Sequence, residues 1–109
     1  MTATMERTAL QEAVAAKLEA IEAEMRACGF WQNRLPTPKQ LQFSEAFAMD
    51  TMTFVQWLQF VFIPNVREAV EENSFPESSS VAAQAVREFD TVPEANRLTS
   101  LLSEFDALF

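Results

Sequence analysis

The sequence predicts an all-α fold: an irregular four-helix bundle with a long extended strap between helices 1 and 2. Three observations predict it. Apolar residues recur in steps of three and four over several segments. The chain holds a single glycine, Gly29, too few for the tight turns of a hairpin-rich fold. Its 109 residues are 49% hydrophobic and 22% charged, enough to bury one core without staples. A single domain over residues 1–109 is expected from that length.

The first helix is predicted from about Met5 to Cys28. Leu10, Val14, Leu18, Ile21, Met25 and Cys28 fall on one face, and Glu12, Glu19, Glu22 and Arg26 fall on the other. Glu22 and Arg26 have the favourable i,i+4 order. Gly29 stands where a left-handed cap ends a helix. Residues 30–49, FWQNRLPTPKQLQFSEAFAM, show neither helical nor strand period. Pro36 and Pro38 hold the residues before them extended. Phe30, Trp31, Leu35, Leu41, Phe43 and Phe47 are dense there, so the segment reads as a strap whose apolar side chains plug into the helical core.

A second helix, kinked at Pro64, is predicted over about 51–72. Asp50 can cap it, with Met49 and Phe54 as the staple, and Thr53 with Gln56 offers a second capping frame. Phe54–Ile63 is apolar nearly all round, which predicts a central, buried helix. Pro64 removes one N–H and crowds the Phe60 carbonyl. Residues 73–80, NSFPESSS, form a turn-rich connector. Ser80 can cap a short helix over about 81–90, with Val81, Ala85 and Phe89 inward. Thr91-Val92-Pro93-Glu94 reads as a capping box opening a last helix. Its stripe is Ala95, Leu98, Leu102, Phe105 and Phe109, widened by Leu101 and Leu108.

Absences narrow the chemistry. There is no His and no Tyr, which removes the commonest general base and metal ligand. One Gly cannot build a phosphate loop. One cysteine, Cys28, cannot form an internal disulfide or a cysteine-rich zinc site, and it reads as a small buried hydrophobe. No motif implies a cofactor, a metal or a catalytic constellation, so a non-enzyme is expected. Glu19 with Glu22, and Glu68, Glu71 and Glu72, read as solvated faces. The ten residues Phe54–Ile63 are interrupted by Gln56 and Gln59, well short of the ~20 needed for a membrane span. The opening MTATMERTALQEAV shows no secretory leader pattern, so a cytoplasmic protein is expected.

The net charge is −8, from 16 acids and 8 bases, which opposes direct nucleic-acid binding. From Gly29 to Ser44 there is no acid and only Arg34 and Lys39, so this stretch carries +2 and the rest of the chain −10. Such a strap is a candidate contact surface for a partner. Gln56 and Gln59, the polar members of the second helix's apolar run, must find hydrogen bonds if buried. They could fix the strap after Pro36 or meet a ligand or a partner. The candidate binding surface is therefore Trp31, Arg34, Lys39, Asp50, Thr51, Gln56, Trp57 and Gln59.

Several of these residues also carry a resemblance. Trp31 followed by Arg34 and Pro36, then Phe47, Met49-Asp50-Thr51-Met52, Trp57-Leu58-Gln59, Ile63-Pro64 and the ending Asp106-Ala107-Leu108-Phe109 resemble the YqcC-like family of small bacterial proteins of unknown function. The resemblance covers nearly the whole chain and implies an all-helical bundle. It also implies a gene often placed beside a tRNA pseudouridine synthase, and so an accessory role in RNA modification. It supplies no catalytic residues. The chain departs from the family near Ala83–Ala85, where a proline followed by aromatics is expected. The expected function is a non-enzymatic interaction module, with a protein partner or a second copy of itself. The alternative is a bundle binding a small apolar ligand in a pocket beside Trp57.

Overall fold

The computed structural model describes residues 7–45, 47 and 51–109. Helix α1 spans Ala9–Ala27. It starts later than its apolar period suggests, because Thr8 and Gln11 close a reciprocal box. The Thr8 hydroxyl accepts from the Gln11 N–H, and the Gln11 amide accepts from the Thr8 N–H. Val14, Leu18, Ile21 and Met25 are buried, whereas Cys28, at the cap, is only half-buried. The helix ends on Gly29 at φ 76°. The Phe30 N–H reaches back to the Met25 carbonyl and the Gly29 N–H to that of Arg26, the paired bonds of a glycine-terminated helix.

The second rod is continuous from Phe54 to Glu72 and comes in three parts. These are α2 (Phe54–Trp57), a π turn (Leu58–Phe62) and α3 (Ile63–Glu72). Its cap is Thr53, which forms the same reciprocal box with Gln56. The cap expected from Asp50 is thus displaced by the later frame, and Met49 and Asp50 lie outside the described residues. Pro64 does not break the rod. In a regular α-helix its ring would press on the Phe60 carbonyl. Here the preceding turn widens, and the Ile63 N–H bonds to the Leu58 carbonyl five residues back. The rod is not buried all round: Phe54, Leu58, Gln59, Phe62 and Ile63 are buried, while Val55, Trp57, Phe60 and Val61 are half-buried. Asn73, at φ 51°, closes α3 in the left-handed conformation.

Helix α4 (Val81–Glu88) and helix α5 (Asn96–Asp106) complete the bundle, and no strand occurs among the described residues. The start of α4 is not capped by the Ser80 side chain. Asp106, at the end of α5, does it instead. Its carboxylate accepts from the Val81 and Ala82 N–H groups at 3.1 and 2.8 Å and from the Ser79 hydroxyl. The expected Thr91 box does not form either. Pro93 favours the first position of a helix, which makes Val92 the cap of a 3-10 turn, Pro93–Ala95, and leaves Thr91 one residue too early.

Helix α1 packs on α3 and α5, and α5 packs on α4. One core joins them, with Ile21, Met25, Leu58, Ile63, Leu98 and Leu102 almost fully enclosed. Each such side chain stabilises the fold by roughly 1.5–3 kcal/mol through burial. Gln11 is buried among them, and its amide donates to the Val70 carbonyl at 2.6 Å, tying α1 to α3.

Candidate functional site

The strap is tied to the bundle at named points. Gln59, in the π turn, is 7% exposed. Its amide oxygen accepts from the Gln32 N–H at 2.8 Å, and its amide nitrogen donates to the Gln32 carbonyl at 2.7 Å. One side chain thereby satisfies both backbone groups of one residue, as a neighbouring strand would. The Gln56 amide adds a longer bond, 3.4 Å, to the Gln32 side chain. The two glutamines fix the strap, as expected, but at Gln32 rather than after Pro36.

On one side of this clasp Phe30 stacks on Phe89 at 5.7 Å. On the other, Trp31 lies under the Arg26 guanidinium, 4.4 Å from the ring centre. Arg26 is held by Glu22, which also pairs with Arg67 of α3. Glu22 is therefore a bridging acid with a side chain 21% exposed, not a freely solvated one.

Beyond Gln32 the strap departs from the expected plugged form. Residues 37–41 make a turn closed by a third Thr–Gln box. The Thr37 N–H donates to the Gln40 amide, and the Gln40 N–H donates to the Thr37 hydroxyl. Thr51 donates to the Gln40 carbonyl at 2.6 Å and so pins this turn to the approach of α2. Lys39 sits beside it, in a recess shared with Thr37, Gln40 and Thr51. Leu35, Leu41 and Phe43 point away from the core and are 79%, 48% and 38% exposed. Among its described residues only the ends of the strap plug in. Phe30 and Trp31 enter at one end, and Phe47 at the other meets Trp57 edge-on at 4.9 Å.

The candidate residues do not converge on one pocket. Trp57 is occupied by Phe47, Phe54 and Phe62, with ring centres 4.9 to 5.8 Å away. An apolar recess of about 250 Å³ opens one ring further on, lined by Phe30, Thr53, Phe54, Val55, Glu88, Phe89 and Val92, and Trp57 does not line it. Arg34 is exposed and Asp50 lies outside the described residues. A second recess, about 330 Å³ between α1 and α3, is lined by Arg7, Glu19, Arg67 and Glu71 among apolar residues. Arg7 is already paired with Glu71, and Arg67 with Glu22.

Cys28 is set against reactivity. Burial, and then the adjoining Glu24 carboxylate, push its thiol up to about 11. Its Sγ lies 3.1 Å from both a Glu24 carboxylate oxygen and the Glu94 carbonyl. Among the described residues no three His, Cys, Asp or Glu side chains gather as a metal site would require. No helix there is long and apolar enough to cross a membrane.

A family model described as tRNA pseudouridine synthase C matches residues 13–108. The protein YqcC of Escherichia coli, uncharacterised, is 33% identical over 85% of this chain and 87% of its own. The chain belongs to the YqcC-like family. An uncharacterised protein of Haemophilus influenzae is 31% identical over 84% of each chain. The solution NMR structure of E. coli YqcC superposes with a TM-score of 0.83 at 29% identity, covering 93% of this chain and 88% of that one, so the all-helical fold is that of the family. The tRNA pseudouridine synthase C of Pectobacterium carotovorum is 36% identical over 59 residues, which are 53% of this chain and only 16% of that protein.

The strap's anchors were partly hidden in the sequence. Gln32 carries no signal of its own, since Gln59 grips its backbone N–H and carbonyl. The three boxes Thr8–Gln11, Thr37–Gln40 and Thr53–Gln56 share one spacing, which is a readable signal.

Proposed function

We propose that this protein is a non-enzymatic interaction module of the cytoplasm that works beside a tRNA pseudouridine synthase. The observation that carries the reading is the partial match to the Pectobacterium synthase: a stretch like 53% of this chain occupies 16% of a polypeptide named for that activity. Two activities that act together are often joined in one chain, because tethering raises their effective concentration. Composition supports the non-enzymatic half. With no His and no Tyr, proton transfer would fall to carboxylates, and Glu22, Glu24, Glu71 and Glu104 are engaged by arginine or lysine. Net charge −8 suits a basic, tRNA-binding enzyme as partner better than the tRNA itself.

Sedimentation velocity of the purified protein mixed with the synthase of the same organism tests this. A single faster boundary containing both is expected, as is no pseudouridine formation by the module alone. Two independent boundaries would remove the reading.

The apolar recess lined by Phe30, Phe54 and Phe89 favours a second reading, a site for a small apolar or aromatic ligand. A thermal-shift screen of such compounds checks it, because a ligand of the native state raises Tm. No shift across the screen would discard it.

A further inference from the structure

We infer that the strap between Gln32 and Phe43 is the docking surface for the synthase, and that it fits an apolar recess rimmed by carboxylates on that enzyme. The inference rests on the reading above and adds the surface and its chemistry. Of the chain's eight cations, Arg7, Lys17, Arg26, Arg67 and Arg97 are ion-paired. Among the described residues Arg34, Lys39 and Arg87 are not, and two of these three lie on the strap. The same short segment carries Leu35, Leu41 and Phe43, three of the four large hydrophobic side chains left exposed among the described residues. Between Gly29 and Ser44 there is no acid. Apolar anchors flanked by unpaired cations make the composition of an interface core and its rim.

The exposure is not that of a slack loop. The Gln59 clasp holds Gln32, the Thr37–Gln40 box closes the turn, and Thr51 pins Gln40. Pro36 and Pro38 stiffen the path between them. The ordering cost of binding is thus largely met before a partner arrives. A fold that spends two buried or half-buried hydrogen-bonding groups to hold Leu35, Leu41 and Phe43 outward gains nothing in its own core from them.

Charge selects the occupant. Two unpaired cations against an overall −8 are too few for a nucleic-acid backbone. A second copy of the chain brings another −8 and is repelled as the two approach. A separate protein with carboxylates around an apolar recess meets neither objection.

The test is isothermal titration of the synthase with wild type and three variants. These are Leu35→Asp with Phe43→Asp, Arg34→Glu with Lys39→Glu, and Val86→Asp as a control at an exposed apolar site on α4 (58% exposed). The altered side chains are exposed, so circular dichroism melts should match wild type. The inference expects at least tenfold weaker binding for both strap variants and wild-type affinity for the control. It expects a flatter salt dependence for the charge-reversed one. Equal affinity for wild type and the strap variants overturns the strap as the surface and leaves the module reading intact. No binding by wild type overturns that reading itself. Self-association of the purified chain that the strap variants abolish would assign the surface to a second copy and overturn the synthase as occupant.

Discussion

Replacing Gln59 by methionine keeps the length and helix preference of the side chain but removes both bonds to Gln32. Those bonds measure 2.8 and 2.7 Å and engage the N–H and C=O of one residue. Each is worth about 1 kcal/mol net, so the pair contributes about 2 kcal/mol. Water can reach the strap from outside and recover part of the Gln32 hydrogen bonding, which keeps the loss from growing larger. At about 4 °C per kcal/mol for a chain of this size, Tm should fall by about 8 °C. The loss is also local. The Gln32 amide should exchange far faster than in wild type, while amides in the middle of α1 slow or quicken only with global stability. Circular dichroism melting and hydrogen exchange followed by NMR measure the two effects. A Tm within about 2 °C of wild type, with the Gln32 amide still protected, would refute the claim that Gln59 clasps the strap.

Three other outcomes follow from the same contacts. Asp106→Ala leaves the Val81 and Ala82 N–H groups uncapped and should cost about 1–2 kcal/mol, with α4 amides exchanging first; Asp106→Asn should recover part of the loss. Cys28, raised from 9.0 to about 11, should react with iodoacetamide at pH 8 on the order of 100-fold more slowly than in the unfolded chain. Because folding holds the thiol proton, its contribution to stability is intact below pH 9.0 and is lost as pH rises toward 11. Glu104 is held below the usual carboxylate value, first by its hydrogen bond to Lys17 and then by that residue's charge. That contribution is present above pH 4.5 and fades as pH falls through the lowered value. Comparing acid melts of wild type and Glu104→Gln at low and high salt should show a small difference that salt removes.

Much of the fold could be read from local rules. The α1 stripe, the left-handed Gly29 and the α5 stripe follow from period and cap chemistry alone, and the structure keeps them all. The misreadings came where two local rules compete or where a distant residue intervenes. Asp50 and Thr53 both offered caps, and the frame with a reciprocal glutamine prevailed. At residues 91–94 the preference of Pro93 for the first helical position outweighed the Thr–Glu spacing. Asp106 caps a helix that begins 25 residues earlier, a contact that no window along the chain contains. In the strap, hydrophobicity suggested burial of Leu35, Leu41 and Phe43, but the clasp at Gln32 and the turn at 37–41 direct them outward. Trp31, Arg34 and Gln59 part company for the same reason: Trp31 turns to Arg26 and Gln59 to a backbone, while Arg34 stays in solvent. Of the residues that the sequence marked as a site, Gln56, Gln59 and Thr51 hold the strap, while Arg34 and Lys39 stand on its exposed face.

The most direct test of that account is a titration of the isotopically labelled protein with unlabelled synthase, followed by amide chemical shifts. The account predicts perturbations concentrated between residues 32 and 43, centred on Leu35, Leu41 and Phe43. Perturbations confined to the α1–α3 face, or none at saturating synthase, would contradict it.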